Sequence, residues 1–311
     1  MSKQKIICVV GPTASGKTEL GVAIARHFNG EVISADSMQI YRGMSIASAA
    51  PDKDEMQGIK HHLVEFLDYG SEYTVADYVK AARQKISEVA QKGKVPVIVG
   101  GTGLYINSLV NNIEFAENKA DLELRARITK EFDRVGAEKM LERLSKIDSI
   151  TASKLHKNDK RRIIRAFEIY ESTGNTKTFQ DVQSLKNESP YSSVLIGVSY
   201  ADRELLYERI NARVDIMLKK GLLDEAYIAY KKGVVGGAVQ AIGHKEFFDY
   251  FDGKISLEGA TEKLKQSTRR YAKRQLTWFN KDKRIHWIYK DKTENAAEEA
   301  FSIAEREENY A

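Results

Sequence analysis

The chain has one cysteine, four prolines and two tryptophans among its 311 residues. A lone cysteine excludes an internal disulfide framework. Cys8 lies inside the apolar run Ile6-Ile7-Cys8-Val9-Val10, where it serves as a small buried apolar residue. No stretch approaches the roughly 20 apolar residues that a membrane-spanning helix needs. The start, Met-Ser-Lys-Gln-Lys, runs straight into a short strand, so no signal peptide is expected and a cytoplasmic location is the default. There is no internal repeat and no low-complexity tract. What is present, 42% hydrophobic and 30% charged residues, is the profile of a globular chain of one large domain or two ordinary ones.

The formal net charge is +5, but it is unevenly spread. Between Gly259 and Lys290 stand ten Lys or Arg against two acids, Glu262 and Asp282, so this segment carries +8 and the rest about −3. A second cluster, K-N-D-K-R-R-I-I-R, holds Lys157, Lys160, Arg161, Arg162 and Arg165. Two basic clusters on a nearly neutral body point to a polyanionic partner.

The first third alternates short apolar strands with amphipathic helices. Strands are expected at 5–10, 31–36 and 95–99, and helices at 17–28 and 75–92. That alternation predicts a parallel sheet covered by helices. From about Asn118 to Lys186 the pattern is charged and helical in period, with no convincing strand. Val194–Val198 returns to strand character, and helices are expected at about 202–219, 222–232 and 256–279. The expected architecture is an α/β fold, a P-loop NTPase-like parallel sheet flanked by helices, with an all-helical insertion domain. Residues 1–117 and 188–311 would form the core and 118–187 the insertion.

Residues 11–18, G-P-T-A-S-G-K-T, fit the phosphate-binding pattern G-x-x-x-x-G-K-[ST], with a strand before and a helix after. In such a loop the backbone amides of residues 13–18 and the helix N-terminus cradle phosphate oxygens. Lys17 neutralises them, Ser15 adds a donor, and the Thr18 hydroxyl can ligate Mg²⁺. A nucleotide triphosphatase usually adds an apolar strand ending in Asp to hold that ion. Here the strand at 95–99 ends in Gly-Gly-Thr-Gly and has no carboxylate. The strand-terminal acid is Asp36, in A-D-S-M-Q-I-Y, suited to a general base or a metal-water ligand beside the loop. His61-His62 carries no partner spacing for zinc.

These segments together resemble the tRNA dimethylallyltransferase (tRNA isopentenyltransferase) family. Besides the loop and D-S-M-Q-I-Y, the resemblance runs through H-H-L at 61–63, G-G-T-G-L-Y at 100–105 and L-H-K-N-D-K-R-R-I-I-R-A-F-E-I-Y at 155–170. It continues with S-T-G at 172–174, N-A-R-V-D-I-M-L-K-K-G-L-L-D-E-A at 211–226, Q-A-I-G-H-K-E at 240–246 and R-R-Y-A-K-R-Q-L-T-W-F at 269–279. It spans about residues 5–290 in family order. The chain departs from the family pattern at His244, usually Tyr, and at Asn280, usually Arg.

The resemblance implies transfer of a dimethylallyl group from dimethylallyl diphosphate to the exocyclic amine of an adenosine. That adenosine lies 3′ of the anticodon in tRNAs reading codons that start with U. It implies that Gly11, Thr13, Ala14, Ser15, Gly16, Lys17 and Thr18 bind the donor's diphosphate, with Mg²⁺ on Thr18. Asp36 would be the general base, Thr102 would lie near the reacting centre, and Arg213 would pair with the diphosphate. The tRNA anticodon stem-loop would meet Asp36, Ser37, Met38, Gln39 and Thr102. Arg125, Arg161, Arg162 and Arg165 would hold it from the insertion. Gln240, Gly243, His244, Lys245, Lys273, Arg274 and Gln275 would hold its other side. The enzyme would act as a monomer, away from membranes. Three other classes stay open: a small-molecule kinase, a prenyltransferase of free adenine nucleotides, and an RNA-binding protein without activity.

Overall fold

The computed structural model describes residues 3–115, 121–184, 188–233, 238 and 241–308. The chain divides into two compact units, Met1–Val110 with Ser189–Ala311, and Asn111–Glu188.

The first unit opens with β1 (Gln4–Val10), α1 (Lys17–His27), β2 (Gly30–Ser34), α2 (Lys53–Met56) and β3 (His61–His62). It goes on with α3 (Val75–Ala90), β4 (Val95–Gly100) and α4 (Gly103–Val110). Ile6 to Val10 of β1 are wholly buried, as a central parallel strand covered on both faces requires. α3 begins in a capping box: Thr74 Oγ1 accepts the Asp77 amide at 3.2 Å while Asp77 Oδ2 accepts the Thr74 amide at 2.8 Å.

The second unit is helical: α5 (Leu122–Val135), α6 (Ala137–Ile147), α7 (Ser149–Ser153), α8 (Lys160–Thr173) and α9 (Lys177–Ser184). Its core gathers Ile128, Phe132, Met140, Leu144, Ile163 and Phe167, spaced three or four residues apart on α5, α6 and α8. Asp148 is buried and ties α7 to α9. Its carboxylate accepts the amides of Thr151 (3.0 Å) and Thr178 (2.9 Å) and the Thr178 hydroxyl (2.6 Å).

The first unit resumes with β5 (Tyr191–Ser199), α10 (Arg203–Lys219), α11 (Leu222–Lys231), α12 (Phe248–Phe251), α13 (Leu257–Phe279), β6 (His286–Tyr289) and α14 (Ala296–Glu308). The six strands form one sheet in the order β3-β2-β4-β1-β5-β6, and every pairing is parallel. The expected parallel sheet with flanking helices is present. β2 stops at Ser34, so Asp36 stands in the turn beyond it rather than at the strand's last position. β3, β6 and α14 were not expected from the sequence. α14 packs Ala300, Ile303 and Ala304 on the same core cluster as Leu20 and Ile24 of α1. No helix among the described residues is long and apolar enough to cross a membrane.

Candidate active site

Register brings three loops to one edge of the sheet. Val10 pairs with Gly100, and Ser34 with Val99. The chain therefore leaves β1 into residues 11–18, β2 into Asp36 and β4 into Gly101-Thr102 at nearly one level, the carboxyl edge where ligands bind in open α/β sheets. A cleft of about 1100 Å³ opens there.

The phosphate loop lines this cleft. Ala14 (φ 63°) and Gly16 (φ 91°) take left-handed backbone, which turns the loop under the start of α1. Gly16 is the N-cap of α1 and no side chain caps this helix, whereas Thr74, Asp202 and Ser256 cap α3, α10 and α13. The first-turn amides of α1 are left for an anion, at the positive end of the helix dipole. Ser15 is wholly buried and its hydroxyl has no partner. An orphaned buried hydroxyl beside uncapped amides fits a phosphate as the missing acceptor. One expected member of the cradle is otherwise engaged: the Thr13 amide donates to Gln275 Oε1 at 2.9 Å.

Lys17 Nζ donates to the Pro12 carbonyl at 2.6 Å. Burial, and then the Arg213 guanidinium, lower the Lys17 pKa to about 7, with Asp36 opposing them. Arg213 lines the same cleft and makes no hydrogen bond or ion pair with any described residue. Burial lowers its pKa too, while Glu55 and Asp36 act to raise it. One turn earlier on α10, Arg209 donates from Nε to the Ala14 carbonyl at 3.3 Å and lies over the Tyr200 ring. Arg209 was missed from sequence, although its i, i+4 spacing to Arg213 places both on one helix face.

On the same cleft, Asp36 Oδ1 accepts the amides of Met38 (2.9 Å) and Gln39 (3.4 Å). These bonds fix the carboxylate, and Oδ2 has no hydrogen bond to a described residue. Thr102 Oγ1 accepts the Ser37 amide at 3.0 Å and donates to Ser37 Oγ at 3.3 Å. Gln39 accepts from Ser34 Oγ at 2.9 Å and donates to the Ala49 carbonyl at 3.1 Å, which holds the far wall of the cleft. Asp36 to Gln39, Lys17, Thr18, Arg213, Lys245, Arg274 and Gln275 all line this one cleft.

The remaining sequence-derived positions divide. Lys245, Lys273 and Arg274 are exposed, the Arg274 guanidinium lying 5.6 Å from the Tyr271 ring centroid. Gly243 donates its amide to Glu246 Oε2. Gln240 lies outside the described residues. Two expected RNA contacts are instead closed off. His244 is wholly buried, with Nε2 2.8 Å from Glu225 Oε1 and Nδ1 3.2 Å from the Tyr69 hydroxyl. Gln275 is 5% exposed and both ends of its amide are occupied. In the helical unit, Arg161, Arg162 and Arg165 are exposed on α8. Arg165 and Arg125 both pair with Glu168, Arg162 lies 3.7 Å from Asp159, and Arg161 has no ion pair with a described residue. His62 is buried against Glu31 (2.7 Å) and His61 bonds the Ile59 carbonyl. Among the described residues no group of three or more His, Cys, Asp or Glu could hold a metal ion.

Comparison with known proteins gives one answer. Residues 39–282 match the family described as IPP transferase. The tRNA dimethylallyltransferase of Caldanaerobacter subterraneus subsp. tengcongensis is 46% identical over 290 residues, 92% of each chain. The crystal structure of the full-length tRNA isopentenylpyrophosphate transferase of Bacillus halodurans superposes with a TM-score of 0.73 at 39% identity, covering 99% of both chains. A eukaryotic dimethylallyltransferase, crystallised acting on tRNA, superposes with a TM-score of 0.84 at 29% identity, covering 99% of this chain and 80% of that one.

Proposed function

The chain belongs to the IPP transferase family, and we propose that it transfers a dimethylallyl group from dimethylallyl diphosphate to a tRNA adenosine. The acceptor atom is the exocyclic amine of the adenosine 3′ to the anticodon, in tRNAs that read codons starting with U. The observation that carries this reading is the make-up of one cleft. Phosphate-loop residues with uncapped amides, Lys17 and Arg213 line it together with Asp36 and Ser37, and the Ser37 amide is bonded to Thr102. The strand that would hold a nucleotide's metal ends at Gly100 with no acid, which argues against a kinase.

The bond that breaks joins the allylic carbon to the diphosphate oxygen. Diphosphate leaves as a polyanion, and Lys17, Arg213, the Ser15 hydroxyl and the first-turn amides of α1 stabilise its developing charge. Mg²⁺ would be held by the Thr18 hydroxyl and would supply further charge neutralisation for the diphosphate. One protein hydroxyl, with no carboxylate cluster among the described residues, suits an ion that binds through phosphate. The acceptor is an aromatic amine and a weak nucleophile. As its nitrogen bonds the allylic carbon, Oδ2 of Asp36, the oxygen not bonded by the Met38 amide, takes the proton. Reaching that amine requires drawing the base out of its stack. Asp36 to Gln39 and Thr102 receive it. Arg125, Arg161, Arg162 and Arg165 hold the anticodon stem-loop from the helical unit, and Lys245, Lys273 and Arg274 hold it from the core. The working protein is a cytoplasmic monomer.

The test offers radiolabelled dimethylallyl diphosphate with unmodified tRNA carrying adenosine beside the anticodon, and separately with AMP. Label in tRNA and not in AMP is the expected result. Label in AMP alone would reassign the enzyme to free nucleotides, and label in neither would overturn the reading.

A further inference from the structure

Gln275 sits in the most basic stretch of the chain, yet its side chain is buried. Its Oε1 accepts the Thr13 amide at 2.9 Å and its Nε2 donates to the Gly101 carbonyl at 2.9 Å. One planar amide thus bridges the phosphate loop after β1 and the turn after β4. The bridge is a tertiary contact: Gln275 is 262 residues from Thr13 and 174 from Gly101.

The fit around this bridge is close. A Cβ on Gly101 would stand 2.1 Å from Gln275 Nε2, and a Cβ on Gly103 would stand 2.2 Å from Trp278 Cδ1. Tyr271, one turn before Gln275, turns its phenol toward Thr102, and burial raises its pKa with Asp36 adding to the effect. Residues 271, 275 and 278 share one face of α13. The Gly-Gly-Thr-Gly turn is therefore moulded on three side chains of this helix, and its glycines make the room.

We propose that Gln275 is a positioning residue: it sets the separation between the diphosphate loop and the Gly101-Thr102 turn, and it does not contact RNA. This rests on the transfer reaction proposed above. On that reading the loop holds the donor's diphosphate and the Gly101-Thr102 turn lies by the acceptor base, and the bridge fixes one segment against the other. A misplacement of about 1 Å in such a geometry is enough to cost on the order of a hundredfold in rate.

Two variants test this in the full-length protein. Gln275→Met keeps the volume and removes both bonds. Gln275→Glu keeps the Thr13 bond but sets a carboxylate oxygen against the Gly101 carbonyl. Both should lower kcat at saturating tRNA by about tenfold to a hundredfold. Filter-binding affinity for the tRNA should stay within about twofold. Lowering the pH should restore Gln275→Glu relative to wild type, because a protonated carboxyl donates to Gly101 again, whereas Gln275→Met should show no such recovery. Weaker tRNA binding with unchanged kcat would overturn the proposal in favour of a direct contact. A parallel loss in both variants without the pH-dependent recovery would reduce Gln275 to a packing residue. Calorimetric titration of inorganic diphosphate, without RNA, separates the two levels of inference. If wild type binds diphosphate but prenylates nothing, the transfer reading fails. The bridge is then judged by Gln275→Met alone: binding weakened about fivefold or more upholds it, and unchanged binding overturns it.

Discussion

The Lys17 ammonium donates to the Pro12 carbonyl at 2.6 Å, a bond that folds the phosphate loop's own lysine back onto its start. Burial and the nearby Arg213 lower the pKa of this ammonium to about 7. A diphosphate placed on the loop reverses that balance, since an anion beside the ammonium favours its charged form. Donor binding near and above pH 7 should therefore take up a proton. Affinity for dimethylallyl diphosphate should fall as pH rises from 7 to 9, by up to about tenfold per unit. Calorimetry in buffers of different ionisation enthalpy measures the uptake directly. Lys17→Met, which cannot take up that proton, supplies the ligand's own titration. Equal uptake by wild type and variant would remove Lys17 from this role.

Asp36 is held by two amides through one oxygen and offers the other. Asp36→Ala removes the proton acceptor and the turn's internal bonds. Asp36→Asn keeps the shape and the bonds to Met38 and Gln39 but accepts no proton. If the carboxylate is the base, both should lower kcat by about a hundredfold to ten-thousandfold. Donor affinity and tRNA affinity should remain within a few fold. Single-turnover transfer with preformed complexes measures the chemical step. An Asp36→Asn enzyme with undiminished single-turnover rate would move the base elsewhere.

The parts of the fold legible in the sequence were those whose pattern is local. β1, β4 and β5 are apolar runs with turn residues beside them, and α1, α3 and α13 carry long periodic faces. β3 is only His61-His62, and its place at the sheet edge depends on the buried pair His62–Glu31, a contact 31 residues apart that no local pattern encodes. α14 hides its apolar face, Ala300, Ile303 and Ala304, among acids. The candidate site divides in the same way. The phosphate loop and Asp36 announce themselves by spacing and by strand ends. Gln275 and His244 do not, because a neutral amide and an imidazole in basic surroundings read as surface residues until tertiary contacts bury them.

Arg161 is exposed on α8 beside Arg162 and Arg165, and unlike Arg165 it has no ion pair with a described residue. A cation of this kind contributes to RNA binding chiefly by releasing counterions. Arg161→Ala should weaken tRNA binding at low salt and lower the slope of log affinity against log salt by about 0.7–0.9. At saturating tRNA, kcat should be unchanged. Filter binding from 50 to 300 mM salt gives the slope, and an unaltered slope would mean that Arg161 meets no phosphate.

Asp148 makes the helical unit sensitive to acid in a defined window. Burial alone would raise its carboxyl pKa. The Thr178 hydroxyl and the amides of Thr151 and Thr178 outweigh that and bring it to about 2, against an ordinary 3.8. The folded pKa is depressed, so the stabilisation is full above about pH 4 and is lost as pH falls through about 2. Asp148→Ala removes the acceptor for all three donors, the Thr151 amide buried and the two of Thr178 half-buried. At pH 7 it should cost about 2–4 kcal/mol of the unit's stability, with α7 and α9 released from each other. Hydrogen exchange of the Thr151 and Thr178 amides in the full-length protein reads this locally. Protection at these amides should fall in the variant at pH 7, and the gap between variant and wild type should narrow toward pH 2. A gap that stays constant across that range would assign the loss to packing rather than to the carboxylate.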